Sequence, residues 1–75
     1  MFISAYTKKE LKHCAAEDYG SYSNLGDAIN ACDNDGGCAA IYDPGCDDTG
    51  TFSLCPAGYT EQVSGSSCLY VKGIL

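Results

Sequence analysis

The sequence predicts a small, disulfide-rich α+β domain with one helix packed on an antiparallel β-sheet. Three observations predict it. Six cysteines fall within 75 residues. One segment, about 25–33, carries an apolar stripe at helical spacing, and three later segments are short, apolar or alternating, and bounded by turn formers. Several strands with a single helix is the pattern of a helix laid on one face of an antiparallel sheet.

A chain of this length forms one domain and buries only about 60% of its unfolded surface. At that size the gain from apolar burial and the conformational entropy of ordering nearly cancel, so the fold needs staples. Cys14, Cys32, Cys38, Cys46, Cys55 and Cys68 supply them. An even number in a short chain is the mark of an oxidising compartment, which predicts a secreted, extracellular protein. Zinc is the rival use of cysteine. There is no C-x-x-C pair, and the single histidine, His13, stands beside Cys14 rather than in a spaced histidine pair. No run approaches a membrane span, and Met1–Tyr6 is too short for the apolar core of a leader, so an exported protein in mature form, with no membrane insertion, is expected. No N-x-[ST] acceptor occurs.

Formal net charge is −6 and arginine is absent, which excludes a nucleic-acid partner that needs a basic face. The charge is uneven. Lys8, Lys9 and Lys12 stand against Glu10 alone in the first thirteen residues, and the remainder holds nine acids and one base, Lys72. A solvated surface accounts for this, and so does a head-to-tail contact of a basic arm on an acidic body.

Along the chain, residues 1–13 read as an N-terminal arm, 14–72 as the disulfide-rich domain and 73–75 as a tail. Met1–Tyr6 suits a short strand or arm. Thr7-Lys8-Lys9-Glu10 fits a capping box that starts a short helix through Leu11 and Cys14, although Lys12–Ala15 equally suits a strand. Asn24 is a good N-cap with Asp27 three residues on, and Leu25, Ala28, Ile29 and Cys32 fall on one face. Asn34-Asp35-Gly36-Gly37 then turns the chain. Strands follow at Cys38–Tyr42, at Thr51–Cys55 with Phe52 and Leu54 on one face, and at Ser67–Lys72. Asp43–Gly50, Pro56–Tyr59 and Ser64–Ser67 read as turn-rich connections.

Six cysteines allow fifteen connectivities. Cys32 ends the helix and Cys38 opens a strand after a Gly-Gly turn, which favours a short staple between them. Cys46 and Cys55 flank a hairpin-like loop and are expected to meet across it. Cys14 and Cys68 are left to join the end segments. In the loop-entropy description the two short staples contribute about 2.5 kcal/mol each and the long one about 4.

Cys14, Tyr19, Tyr22, Leu25-x-x-Ala28-x-x-x-Cys32, Cys38-Ala39-Ala40-Ile41-Tyr42-Asp43, Phe52-x-Leu54-Cys55 and Ser67-Cys68-Leu69-Tyr70-Val71-Lys72 resemble the PAN/apple domain superfamily, over roughly residues 14–72. The resemblance implies a cysteine-bearing helix on an antiparallel sheet, a helix cysteine paired with the start of the next strand, as for Cys32 and Cys38, and paired terminal cysteines, as for Cys14 and Cys68. It also implies a non-enzymatic extracellular module for protein or carbohydrate contacts. One departure is visible: many members carry a second helix cysteine where this chain has Ala28, and this chain carries Cys46 and Cys55 in addition.

No catalytic grouping is expected. His13 has no nucleophile elbow around it and neighbours the lysines, so it reads as solvated. Asp33, Asp35, Asp47 and Asp48 lie in oxygen-rich loops that weakly suggest calcium. However, Ala31 and Tyr42 occupy the first and last ligand positions of an EF-hand, and turn chemistry explains the acids as well. No cofactor is expected. Six tyrosines occur without tryptophan. Tyr42 and Tyr70, inside strands, are expected to be structural. Tyr19, Tyr22 and Tyr59 are binding candidates, because tyrosine offers an apolar face with a polar tip. The apolar ends, Met1-Phe2-Ile3 and Gly73-Ile74-Leu75, are expected to pair in the sheet or with a neighbouring subunit, with Lys8 and Lys9 assisting assembly.

Three functions fit, in this order: an extracellular binding or adhesion module recognising a protein or glycan; a structural subunit of an extracellular filament; and a secreted toxin or protease inhibitor, ranked last because the Asp43–Gly50 loop is acidic.

Overall fold

The computed structural model of the chain describes residues 6–15, 18–46 and 49–73. The assembly candidates Met1, Phe2, Ile3, Ile74 and Leu75, and the calcium candidates Asp47 and Asp48, lie outside them.

The elements are β1 (Tyr6–Cys14), β2 (Tyr19–Tyr22), α1 (Leu25–Asp33), β3 (Cys38–Asp43), β4 (Phe52–Pro56) and β5 (Glu61–Lys72). The five strands form one antiparallel sheet in the order β1-β5-β3-β4-β2. This is the predicted small disulfide-rich α+β domain with one helix.

The helix forms where its local signals place it. Asn24 Oδ1 accepts from the Asp27 amide at 2.8 Å, satisfying one of the free first-turn N–H groups. Ala28 and Cys32 are fully buried, and Leu25 and Ile29 pack beside them. At the other end the Asn34 and Asp35 amides donate to Asn30 and Cys32 carbonyls at 3.2 Å each. The Asp35 carboxylate then accepts from the Gly37 amide at 2.8 Å, turning the chain into β3. The stripe meets Ile41, Phe52, Leu54 and Tyr70, which point to one face of the sheet by strand alternation.

Tyr6–Cys14 is a strand throughout, so of the two readings of this segment the short helix from Thr7 fails and the strand at Lys12 holds. Glu10 does not reach back to Thr7; it lies opposite Cys68, in a ladder running from Tyr6↔Lys72 to Glu10↔Cys68. β5 offers this segment a ladder of cross-strand hydrogen bonds at alternate residues, which outweighs a short isolated helix that is marginal in water. Tyr19–Tyr22, outside the strands expected from sequence, is the edge strand β2. The Gly20 φ of +73° suits glycine, and a Cβ there would lie 3.0 Å from the Tyr22 ring.

Ser64–Ser67, expected as a separate turn, is a bulge inside β5. Past Glu10↔Cys68 the pairing resumes at Lys12↔Val63, so four β5 residues oppose Leu11 alone. Leu11 has φ +60°, and the Ser67 hydroxyl donates to the Lys12 carbonyl at 2.7 Å, holding the bend. The register explains its purpose. β4 ends beside Cys38, whereas the inner part of β5 begins beside Asp43, at the opposite end of β3. Residues 57–67 must therefore cross the sheet, and α1 occupies one face. They cross the other face, carrying Lys12–Cys14 with them as a two-stranded ribbon. Cys14 and Tyr59 accordingly pack on Ala40, Cys55 and Leu69, a second small core behind the sheet.

Strand faces also decide the disulfides. The bridges are Cys14–Cys55, Cys32–Cys38 and Cys46–Cys68. The expected helix-to-strand staple, Cys32–Cys38, is present, with 5.2 Å between Cα atoms. The expected Cys14–Cys68 and Cys46–Cys55 pairs are not, because Cys55 and Cys68 face opposite sides. Cys55 lies opposite Ala40 and faces the ribbon, where Cys14 arrives with a Cα separation of 6.3 Å. Cys68 lies opposite Asp43 on the helix side, and the turn after Asp43 lays Cys46 against it with a Cα separation of 4.8 Å.

Candidate binding surface at the helix C-terminus

Polar side chains gather where α1 ends and the chain enters β3. The last turn of α1 carries no basic residue, so nothing on the helix neutralises its carbonyl end. Lys72, forty residues away on β5, does so. Its ammonium donates to the Cys32 carbonyl at 2.6 Å and lies 3.4 Å from the Asp35 carbonyl. No sequence signal marked this role, because the contact depends on β5 passing beside the helix end. Exchange of Lys72 for Met, which keeps most of the stem, is expected to lower stability by about 1–2 kcal/mol, read from urea denaturation.

Two tyrosines flank this end. The Tyr6 hydroxyl donates to Asp33 Oδ1 at 2.7 Å and the Tyr19 hydroxyl to Asp35 Oδ2 at 2.6 Å. Burial first, then Asp33, pushes the Tyr6 phenol well above its usual value. The hydrogen bond to Asp35 is the main reason the Tyr19 phenol is pushed up to about 12. The same bond, with the Gly37 amide, holds the Asp35 carboxyl below the usual carboxylate range. The phenol keeps its proton longer in the folded state, so the stabilisation from this pair is complete below the unfolded phenol value near 10 and fades towards about 12. At the acid end it is present above the usual carboxylate value and is lost as pH falls through the lowered Asp35 value. Ultraviolet difference absorbance should show one phenol ionising near 12 that disappears in the Tyr19→Phe variant.

Beside this pair lies a shallow depression of about 280 Å³, lined by Gly36, Cys38, Ala39, Ala57 and Lys72. The Ala57 amide donates to the Gly37 carbonyl at 2.7 Å and ties the turn after β4 to its wall. Apart from Lys72 the lining residues are small, and Asp35, which holds Tyr19, adjoins the depression through its chain neighbour Gly36.

No family model, curated protein or solved structure matches the chain. The chemistry of this surface therefore rests on its own residues.

The three candidate tyrosines do not form one patch. Tyr19 is 37% exposed and reaches the helix end through its bond to Asp35. Tyr22 is half-buried on the same edge strand, packed against the helix-side core. Tyr59 belongs to the opposite face, where burial and then Glu61 raise its phenol value against an opposing effect of Lys9. Lys9 pairs with Glu61 at 3.2 Å across the ribbon, and Lys8 lies 5.6 Å above the Tyr70 ring. His13 sits on the ribbon opposite Gln62. Asp33 and Asp35, the described calcium candidates, each accept from a tyrosine. Among the described residues no three His, Cys, Asp or Glu side chains converge as metal ligands.

Proposed function

We propose that the protein is a non-catalytic extracellular binding module that recognises a protein or glycan at the depression beside Tyr19. Three disulfides suit an oxidising, extracellular-type environment. One observation carries the reading: Tyr19 is exposed, yet its hydroxyl is fixed on Asp35 at 2.6 Å. An aromatic ring held in place loses little freedom on binding, which is the economy of a preorganised contact residue. The depression, about 280 Å³, falls at the lower edge of the roughly 300–1,000 Å³ of small-molecule sites. It suits one sugar ring or one projecting side chain better than a large cofactor. The PAN/apple likeness lends limited support: the Cys32–Cys38 staple fits that pattern, and the separate partners of Cys14 and Cys68 depart from it.

The test is a glycan array and an array of purified extracellular domains, probed with the oxidised chain and with Tyr19→Ala, Tyr22→Ala and Tyr59→Ala. A ligand whose signal falls about tenfold with Tyr19→Ala, worth about 1.4 kcal/mol, and holds with Tyr59→Ala is expected. Tyr22→Ala should weaken binding only as far as it loosens the core. Equal signals from the parent and Tyr19→Ala would refute the site.

A further inference from the structure

We propose that Asp35–Gly36 is a site of spontaneous aspartyl isomerisation, and that the Tyr19 hydroxyl holds it in check. No other Asp-Gly bond, and no Asn-Gly bond, occurs in the chain. Glycine after an aspartate carries no side chain to shield its amide and leaves the backbone free to turn. Gly36 is exposed, and a Cβ there would meet nothing within 4 Å. The reaction needs no partner but water. The Gly36 nitrogen attacks Asp35 Cγ and a new C–N bond forms. The amide proton and the hydroxyl of the protonated carboxyl leave as water, closing a succinimide ring. Water then opens the ring at one of its two carbonyls. Opening at the side-chain carbonyl restores aspartate. Opening at the main-chain carbonyl gives isoaspartate, with the chain routed through Cγ and no net change in mass.

The fold blocks the first step by holding Asp35 at its polar atoms. Oδ1 accepts from the Gly37 amide at 2.8 Å and Oδ2 from the Tyr19 hydroxyl at 2.6 Å. The Asp35 amide donates to the Cys32 carbonyl at 3.2 Å, and its carbonyl accepts from the Cys38 amide at 2.9 Å. A carboxylate tied at both oxygens does not swing its carbon onto the next amide. The same two bonds favour its charged form, which has no hydroxyl to lose. Of the two, the Gly37 bond lies inside the turn that the Cys32–Cys38 bridge closes. The Tyr19 bond comes from β2, an outer strand of 4 residues. Such an edge opens at far lower cost than a core strand. Tyr19 is therefore the reversible half of the clamp, and its departure frees Oδ2. The consequence for binding rests on the function proposed above: isoaspartate adds a methylene to the main chain between the helix end and Gly36 and takes the carboxylate off Tyr19, so the aged protein loses its ligand.

Prolonged incubation of the oxidised chain at neutral pH, followed by peptide mapping, tests this. Aspartyl and isoaspartyl peptides have equal mass and separate by chromatography. Tyr19→Phe should accumulate isoaspartate at Asp35 about tenfold faster than the parent, the order set by losing one hydrogen bond to a charged group. The reduced and alkylated chain should react at least as fast as that variant. Tyr6→Phe, which removes the neighbouring bond to Asp33 and leaves Asp35 as it is, should match the parent. Gly36→Ala, for which there is room, should slow the reaction several-fold in the reduced and alkylated chain. Tyr19→Phe keeps the ring, and circular dichroism checks that it folds. A Tyr19→Phe rate equal to the parent's, a Tyr6→Phe rate equal to that of Tyr19→Phe, or a reduced chain no faster than the parent would each overturn the inference. The ligand arrays read freshly prepared protein, so the proposed binding site and this one fail separately.

Discussion

Replacing Cys14 and Cys55 together by alanine is expected to lower the unfolding free energy by about 4 kcal/mol, the largest effect of removing any one bridge. Cys14–Cys55 closes a sequence separation of 41, against 22 for Cys46–Cys68 and 6 for Cys32–Cys38. The same loop-entropy description gives about 3.5 kcal/mol for Cys46–Cys68 and about 2.5 kcal/mol for Cys32–Cys38. Geometry adds to the ranking. Cys14–Cys55 is the covalent tie between the ribbon and the face it crosses, over Ala40 and Leu69. A domain of this size has a total stability of roughly 4–11 kcal/mol, so its loss removes from about a third of that stability to all of it. Urea denaturation of the double variant against Cys32→Ala/Cys38→Ala checks the order. Equal losses would show that the ribbon is held by something other than this bridge.

Phe52→Ala is expected to cost about 3–5 kcal/mol. Phe52 is fully buried and is the largest such side chain, and it packs with Ile41, Leu54 and the Ala28–Cys32 stripe of the helix. Deleting its ring empties the centre of the cluster formed by Ile41, Leu54, Tyr70 and the helix stripe, and a core fixed by short strands and the Cys32–Cys38 bridge collapses only partly into the space. Phe52→Leu, which refills most of the volume, should cost only about 1–2 kcal/mol. Thermal unfolding of both variants, read in the oxidised state, separates loss of packing from loss of bridges. Equal and small losses would mean that the helix-side core is not the principal one.

Local signals made much of this fold legible. The helix needed only Asn24, Asp27 and a 3.6-residue stripe, and β3 and β4 needed only their apolar composition and flanking turns. The short Cys32–Cys38 staple followed from the helix end and the Gly-Gly turn. What escaped was non-local. Tyr19-Gly20-Ser21-Tyr22 has no alternation of its own and is a strand because β4 lies beside it. Thr7–Glu10 carries a helix-start signal that β5 overrides. The pairing of Cys14, Cys46, Cys55 and Cys68 depends on which face each strand presents. That in turn depends on β5 neighbouring β3 rather than β4 and on the four-residue bulge opposite Leu11. The same parity separates Tyr59 from Tyr19 and Tyr22. Lys72 was unreadable as a helix cap for the same reason: its ammonium and the Cys32 carbonyl meet only in the folded chain.

Bulge, crossing and staple together leave Leu11 53% exposed and Val63 77% exposed at the outer bend of the ribbon. Their apolar surface belongs to a turn built by backbone geometry rather than by packing.

Peptide mapping of the non-reduced protein by mass spectrometry tests the account most directly. It should recover three cross-linked peptides, joining Cys14 to Cys55, Cys32 to Cys38 and Cys46 to Cys68, with no free thiol. Recovery of Cys14 with Cys68 and Cys46 with Cys55, or of six free thiols in a folded sample, would contradict the crossing ribbon and the oxidising environment on which the functional reading depends.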